Sequence, residues 1–167
     1  MVCIVLLVSD QASKYWIQTH IQPPSSNIQS IDGNLPQRIE VIPDFFWIVH
    51  VHNKGAAWGI LSGFGWLLAM LAVAALAGIY FYRRMLGLET IYMQCVFGLL
   101  CAGIVGNLID RLRLGHVIDF LDFLIGNYHW PAFNIADSSI FSGVVLYLIH
   151  SWRNSSEEEP STLEPKD

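Results

Sequence analysis

Two aspartates frame the chemistry open to this chain. Asp119 lies in the stretch VIDFLDF, and Asp137 follows eighteen residues later, inside the apolar run that begins FNIAD. Neither has a cation close to it in sequence. Apolar surroundings work against a bare carboxylate, and two carboxylates brought together in such a place share a proton. The ionised partner then activates water as a base while the protonated one donates to a carbonyl oxygen. That is peptide hydrolysis without a metal or a covalent nucleophile. Two acids at this spacing are common, so the pair alone is a weak signal.

Other polar residues fall at helical spacings. Gly103, Asn107, Asp110 and Arg111 follow i, i+4, i+7, i+8, and Asn134, Asp137 and Ser138 follow i, i+3, i+4. Each set shares one helix face. Asp10 and Lys14 form an i, i+4 pair with the acid N-terminal, the favourable order. Asn53 stands just before another apolar run. Blander readings stay open for several of these residues. Asp10 and Lys14 are either a self-neutralising structural pair or a contact to substrate. Asp110 and Arg111 are either site residues or a local pair that holds a loop. Asn107 and Asn134 have the alternative of a simple bond between helices. Asp122 is read as a solvated bystander of Asp119. The six histidines show no ligand pattern, with His50 and His52 alternating on a strand and the rest isolated, so no metal site is expected.

These residues need elements to hold them, and the composition says which. The 167-residue chain is 53% hydrophobic and only 14% charged, with mean hydropathy +0.44. Soluble domains carry roughly a quarter charged residues. A bilayer core of about 30 Å takes roughly 20 apolar helical residues. Four segments are candidates: residues 1–17, 59–82, 92–109 and 133–152. The first lacks the basic start and small-residue cleavage site of a removable leader. Between the first two spans, residues 38–42 and 46–52 alternate with β-branched and aromatic content and are read as two strands of a small extramembrane sheet. The expected fold is an all-α membrane protein of four transmembrane helices with a small β-sheet cradle. One domain covers 1–152 with an insertion at 18–58, and an acidic disordered tail covers 153–167.

Arg83, Arg84 and Arg153 place the ends they occupy in the cytoplasm by the positive-inside rule. Both termini then face inward, and every intramembrane polar residue named above maps to the outer edge. The net charge of −5 sits largely in the tail. No basic patch exists, which excludes a nucleic-acid partner. Cys3, Cys95 and Cys101 form no disulfide framework. Intramembrane acids also suit a proton-coupled transporter, which would need polar residues along a path through the bilayer. An assembly factor, whose polar residues only hold helices together, is a third class.

Four ordered blocks sharpen the reading. SDQASKYW (9–16), HNKGAAWGIL (52–61), GNLIDRLRLGHVIDF (106–120) and FNIADSSI (133–140) resemble those of the lipoprotein signal peptidases, or signal peptidase II. The resemblance runs from Ser9 to about Trp152. It implies an aspartic endopeptidase of the bacterial inner membrane that cuts prolipoproteins just before a diacylglyceryl-modified cysteine. It implies Asp119 and Asp137 as the catalytic pair, with Asn53, Asn107, Arg111 and Asn134 positioning substrate. Asp10, Lys14, Gly103 and Asp110 would support the site. It further implies a multi-pass protein whose site faces the periplasm, a monomer among membrane lipid, without cofactor or metal.

Overall fold

The computed structural model describes residues 1–23, 37–56 and 60–157. Residues 24–36, 57–59 and 158–167 lie outside it. The expected Pro/Ser-rich loop, part of the second sequence block and most of the acidic tail therefore fall beyond the described residues.

Four helices and four strands make up the fold: α1 (Val2–His20), β1 (Arg38–Ile42), β2 (Phe46–Asn53), α2 (Gly65–Phe81), α3 (Ile91–Leu114), β3 (Val117–Ile125), β4 (Tyr128–Phe133) and α4 (Ile135–Glu157). The strands form one antiparallel sheet in the order β1-β2-β3-β4. Each helix lies where an apolar segment was expected, with shifted ends. The second span starts at Gly65 rather than 59, because Leu61 and Gly63 take positive φ and break the helix before it begins. The first continues to His20, and the fourth reaches Glu157, so the first residues of the expected disordered tail are helical.

The sheet is larger than the two strands read from 38–52, and it is not confined to the 18–58 insertion. Its other half comes from residues 117–133. β3 reads as a nearly continuous apolar run without clear alternation, and β4 carries Pro131, which suits an edge strand. Both features hid them from a periodicity argument.

Two apolar clusters hold the layers together. Ile17 and Ile21 of the first helix's end pack on Ile118 and Phe120 of β3, seating the sheet on α1. Met93, Val96 and Phe97 of α3 form the second cluster, against Ile79, Leu146 and Tyr147. α3 and α4 are each long and apolar enough to cross a membrane. α2 is shorter, apolar all round and without a buried residue. A helix of that kind needs lipid or another apolar surface around it.

α3 and α4 approach closely at glycines, Gly143 of α4 against Leu100 and Gly103 of α3 against α4. A Cβ at Gly103 would collide with the Ala136 carbonyl and Ile140. At the end of α3, Gly115 takes φ 75°, and its N–H bonds back to the Arg111 carbonyl at 3.1 Å. That left-handed cap reverses the chain into β3.

Candidate active site

α4 begins on a reciprocal cap. The Asp137 backbone N–H donates to Asn134 Oδ1 at 2.9 Å, and the Asn134 N–H donates to Asp137 Oδ2 at 3.3 Å. This is the capping-box arrangement, with Asn134 at the cap and Asp137 in the first turn. Asp137 lies in the first turn of the helix, as its spacing predicts, whereas Asn134 stands one residue before the helix rather than inside it. A negative charge at a helix N-terminus is favoured by the helix dipole.

Asp119 reaches the same place from β3. It is 2% exposed. Asn134 Nδ2 donates to its Oδ1 at 2.7 Å, and Asn53 Nδ2 to its Oδ2 at 2.9 Å. Asn53 arrives through the register of the sheet. Val51 pairs with Asp119, and Asn53 stands two residues on along β2. Asp122 is three residues along β3 from Asp119 and so takes the other face, where it pairs with exposed His129 at 3.3 Å.

Three asparagine amides therefore surround two carboxylates, and each is held in one orientation. Gly55 N–H donates to Asn53 Oδ1 at 2.9 Å, and Asp137 N–H to Asn134 Oδ1. Lys14 Nζ donates to Asn107 Oδ1 at 3.1 Å. With its oxygen engaged, Asn107 turns its NH₂ to Asp137 Oδ1 at 2.7 Å. Every carboxylate oxygen of the pair thus meets an N–H donor. Burial, and next the negative charge of Asp137, push Asp119 up to about 7, against the pull of the Asn53 and Asn134 hydrogen bonds. Near neutral pH this carboxyl can hold or give up a proton.

A buried ionic cluster supports these amides. Lys14 Nζ lies 2.9 Å from Asp10 Oδ2 and 2.9 Å from Asp110 Oδ2. Asp10 Oδ1 also accepts the Ala136 N–H at 2.8 Å, and Asp110 Oδ2 the Ile118 N–H at 3.3 Å. Asp10 and Lys14 are a structural pair in this arrangement, and Asp110 joins them. The local Asp110–Arg111 pair is not formed: Asp110 turns into the bundle. Arg111 instead donates to the Gly55 carbonyl at 3.0 Å and to the Asn107 carbonyl at 3.4 Å.

Sequence reasoning missed Gln11, whose Nε2 donates to Asp10, Asp110 and the Gly106 carbonyl. Its position one turn before Lys14 carried no periodic signal. It also missed that His116 is not isolated but lies against His52, with ring centroids 3.9 Å apart. Only the fold brings those two residues together. Among the described residues, no three histidine, cysteine or acidic side chains are gathered to hold a metal ion. The buried polar residues gather at the sheet end of the bundle, while Met93, Val96 and Phe97 fill the rest. A polar path along the helices is not formed by the described residues.

A model of the signal peptidase II family matches residues 2–153. The chain belongs to the signal peptidase II family. Among its relatives, the lipoprotein signal peptidase of Bacillus velezensis is 33% identical over 159 residues, covering 95% of this chain and 96% of that one. The lipoprotein signal peptidase of Syntrophotalea carbinolica is 44% identical over 126 residues, 72% of this chain and 76% of that one. A bacterial membrane enzyme solved by the in meso method at 2.3 Å superposes with a TM-score of 0.82 at 33% identity, over 98% of this chain and 92% of the other. For a signal peptidase II, the geometry above concentrates its buried polar chemistry where α3, α4 and β3 meet.

Proposed function

We propose that this membrane peptidase is an aspartic endopeptidase. It cleaves the signal peptide from diacylglyceryl-modified prolipoproteins, N-terminal to the lipidated cysteine. The observation that carries the reading is Asn134, which donates to Asp119 with its side chain and to Asp137 with its backbone. It ties the two carboxylates into one unit, in which burial and mutual repulsion favour a single shared proton.

The reaction follows from that arrangement. One carboxylate takes a proton from water, and the water oxygen forms a bond to the scissile carbonyl carbon. The other carboxyl donates its proton to the carbonyl oxygen. Collapse of the tetrahedral carbon breaks the C–N bond, with the proton returned to the leaving amine. The proton belongs to the pair rather than to either residue. Asp137 is only half-buried, so water and substrate approach from its side. Arg111 and Asn53 flank that approach through their shared contact with Gly55.

All four helices are read as spanning the bilayer, as one domain over 1–152 with both termini cytoplasmic and the site at the periplasmic edge. A lipidated cysteine keeps its acyl chains in the outer leaflet. The scissile bond then lies at the interface, where water reaches it. The enzyme is read as working as a monomer, with no metal or cofactor.

The test is incubation of the purified protein with a precursor carrying the diacylglyceryl group and with the same precursor lacking it. Release of the signal peptide from the modified precursor alone is expected. Equal cleavage of both, or of neither, contradicts the assignment.

A further inference from the structure

Three histidines meet beside the candidate site. His50 is 4% exposed, and its Nδ1 bonds the Ile21 carbonyl at the end of α1 at 2.7 Å. Its Nε2 lies 3.2 Å from His52 Nε2. The other face of His52 lies on His116, from the turn between α3 and β3. His116 Nε2 is buried without a hydrogen-bond partner. These rings clamp three elements at one level of the sheet. His52 pairs with Ile118, immediately beside the Asn53–Val117 pair and one residue from Asp119. His52 and Asn53 are consecutive on β2, so a backbone shift at His52 is carried to Asn53.

We propose that His52, held between His50 and His116, is a positioning residue that keeps Asn53 on Asp119 while the three rings are uncharged and releases it when they are protonated. Only one proton fits between two Nε2 atoms 3.2 Å apart. A second would point two N–H groups at each other. Charge on His116 would then face charge on His52 across tilted rings whose centroids are 3.9 Å apart. Lys54, at the exposed end of β2, adds a further positive charge, and Asp110 of α3, engaged by Lys14, supplies the opposing negative one. At the end of α1 the Ile21 carbonyl holds His50 and cannot take up charge. His52 is itself exposed, yet desolvation by the rings it touches, and next the charges of His116, His50 and Lys54, push it down to about 4. The clamp is therefore neutral at pH 7 and opens only in acid.

The inference rests on Asp119 being catalytic. The test compares kcat/KM at about pH 3.5, below the value of His52, with that at about pH 7.5, using a diacylglyceryl-modified precursor. His52→Gln keeps a donor toward His50 but cannot be protonated. The ratio is expected to be several-fold higher in His52→Gln than in wild type, and His116→Gln is expected to move it the same way. Superimposable pH profiles of wild type and both variants would overturn the proposal. If wild type cleaves no precursor at any pH, the protease reading fails instead. The clamp is then judged by the Asn53 side-chain amide in ¹⁵N-asparagine-labelled protein. On acidification its signal is expected to move in wild type more than in His52→Gln, and equal movement refutes the clamp.

Discussion

Lys14 fixes which side of Asn107 faces the candidate dyad. Its Nζ takes the Asn107 carbonyl oxygen at 3.1 Å, so the amide NH₂ turns to Asp137 at 2.7 Å. The same ammonium neutralises Asp10 and Asp110 in a buried place. One cation thus sets both the charge balance of the bundle and the polarity of an amide that does not touch it through any backbone link.

Lys14→Met is expected to destabilise the protein by about 3–5 kcal/mol, because two buried acids lose their counter-charge. Thermal unfolding in detergent measures this. Adding Asp110→Asn is expected to recover part of the loss. A single variant as stable as wild type would show that the cluster is not holding charge.

Gly103→Ala places a methyl group into the Ala136 carbonyl. The helices α3 and α4 must part, at a cost of about 1–3 kcal/mol. Because Asn107 and Asp137 sit on these two helices, activity is expected to fall with stability. The relevant comparison is Gly78→Ala, where a Cβ meets nothing within 4 Å. Equal behaviour of the two variants would contradict the packing role.

Arg111→Lys removes a planar donor that reaches the Gly55 and Asn107 carbonyls together. A hydrogen bond from a charged group is worth about 1.5–3 kcal/mol, or roughly ten- to a hundredfold in kcat/KM. Gly55 in turn holds Asn53, so the loss is expected in kcat as well as KM. Steady-state kinetics on the lipidated precursor separate the two.

The raised Asp119 carboxyl makes stability depend on pH in a definite direction. Its ordinary value is 3.8 and its value here about 7. Between those values the folded state holds more protons than the unfolded one, so stability from this group falls as pH rises from about 4 to 7. His52 works the opposite way, since its value is lowered from 6.5 to about 4 and stability from it is lost as pH falls through that window. Asp119→Asn is therefore expected to gain stability relative to wild type as pH is raised through the window. His52→Gln is expected to gain as pH is lowered. Unfolding midpoints across pH check both signs.

Much of the site was legible in the sequence because helical periodicity is local. Asn107 and Asp110 do share an inward face, and Asp10 with Lys14 does form an ion pair. The ordered blocks add the family. What the sequence hid depends on long-range pairing. That Asp119 stands on a strand, with Asp122 on its opposite face, required β3 to be seen as a strand. That Asn53 meets Asp119 follows from the register of β2 on β3. Asp110 was read against its neighbour Arg111 because adjacency is visible in sequence, whereas Lys14, ninety-six residues away, is not. His116 joined His52 only through the α3–β3 turn at Gly115.

The most direct measurement is the rate of signal-peptide release from a diacylglyceryl-modified precursor by Asp119→Asn, Asp137→Asn and the double variant, each confirmed folded by its helical circular dichroism. Each single change is expected to cost about 10²–10⁴-fold or more. The double variant is expected to be no slower than the slower single one, because the carboxylates act as a unit. Substantial cleavage by either single variant, or losses that multiply in the double one, would contradict a shared dyad.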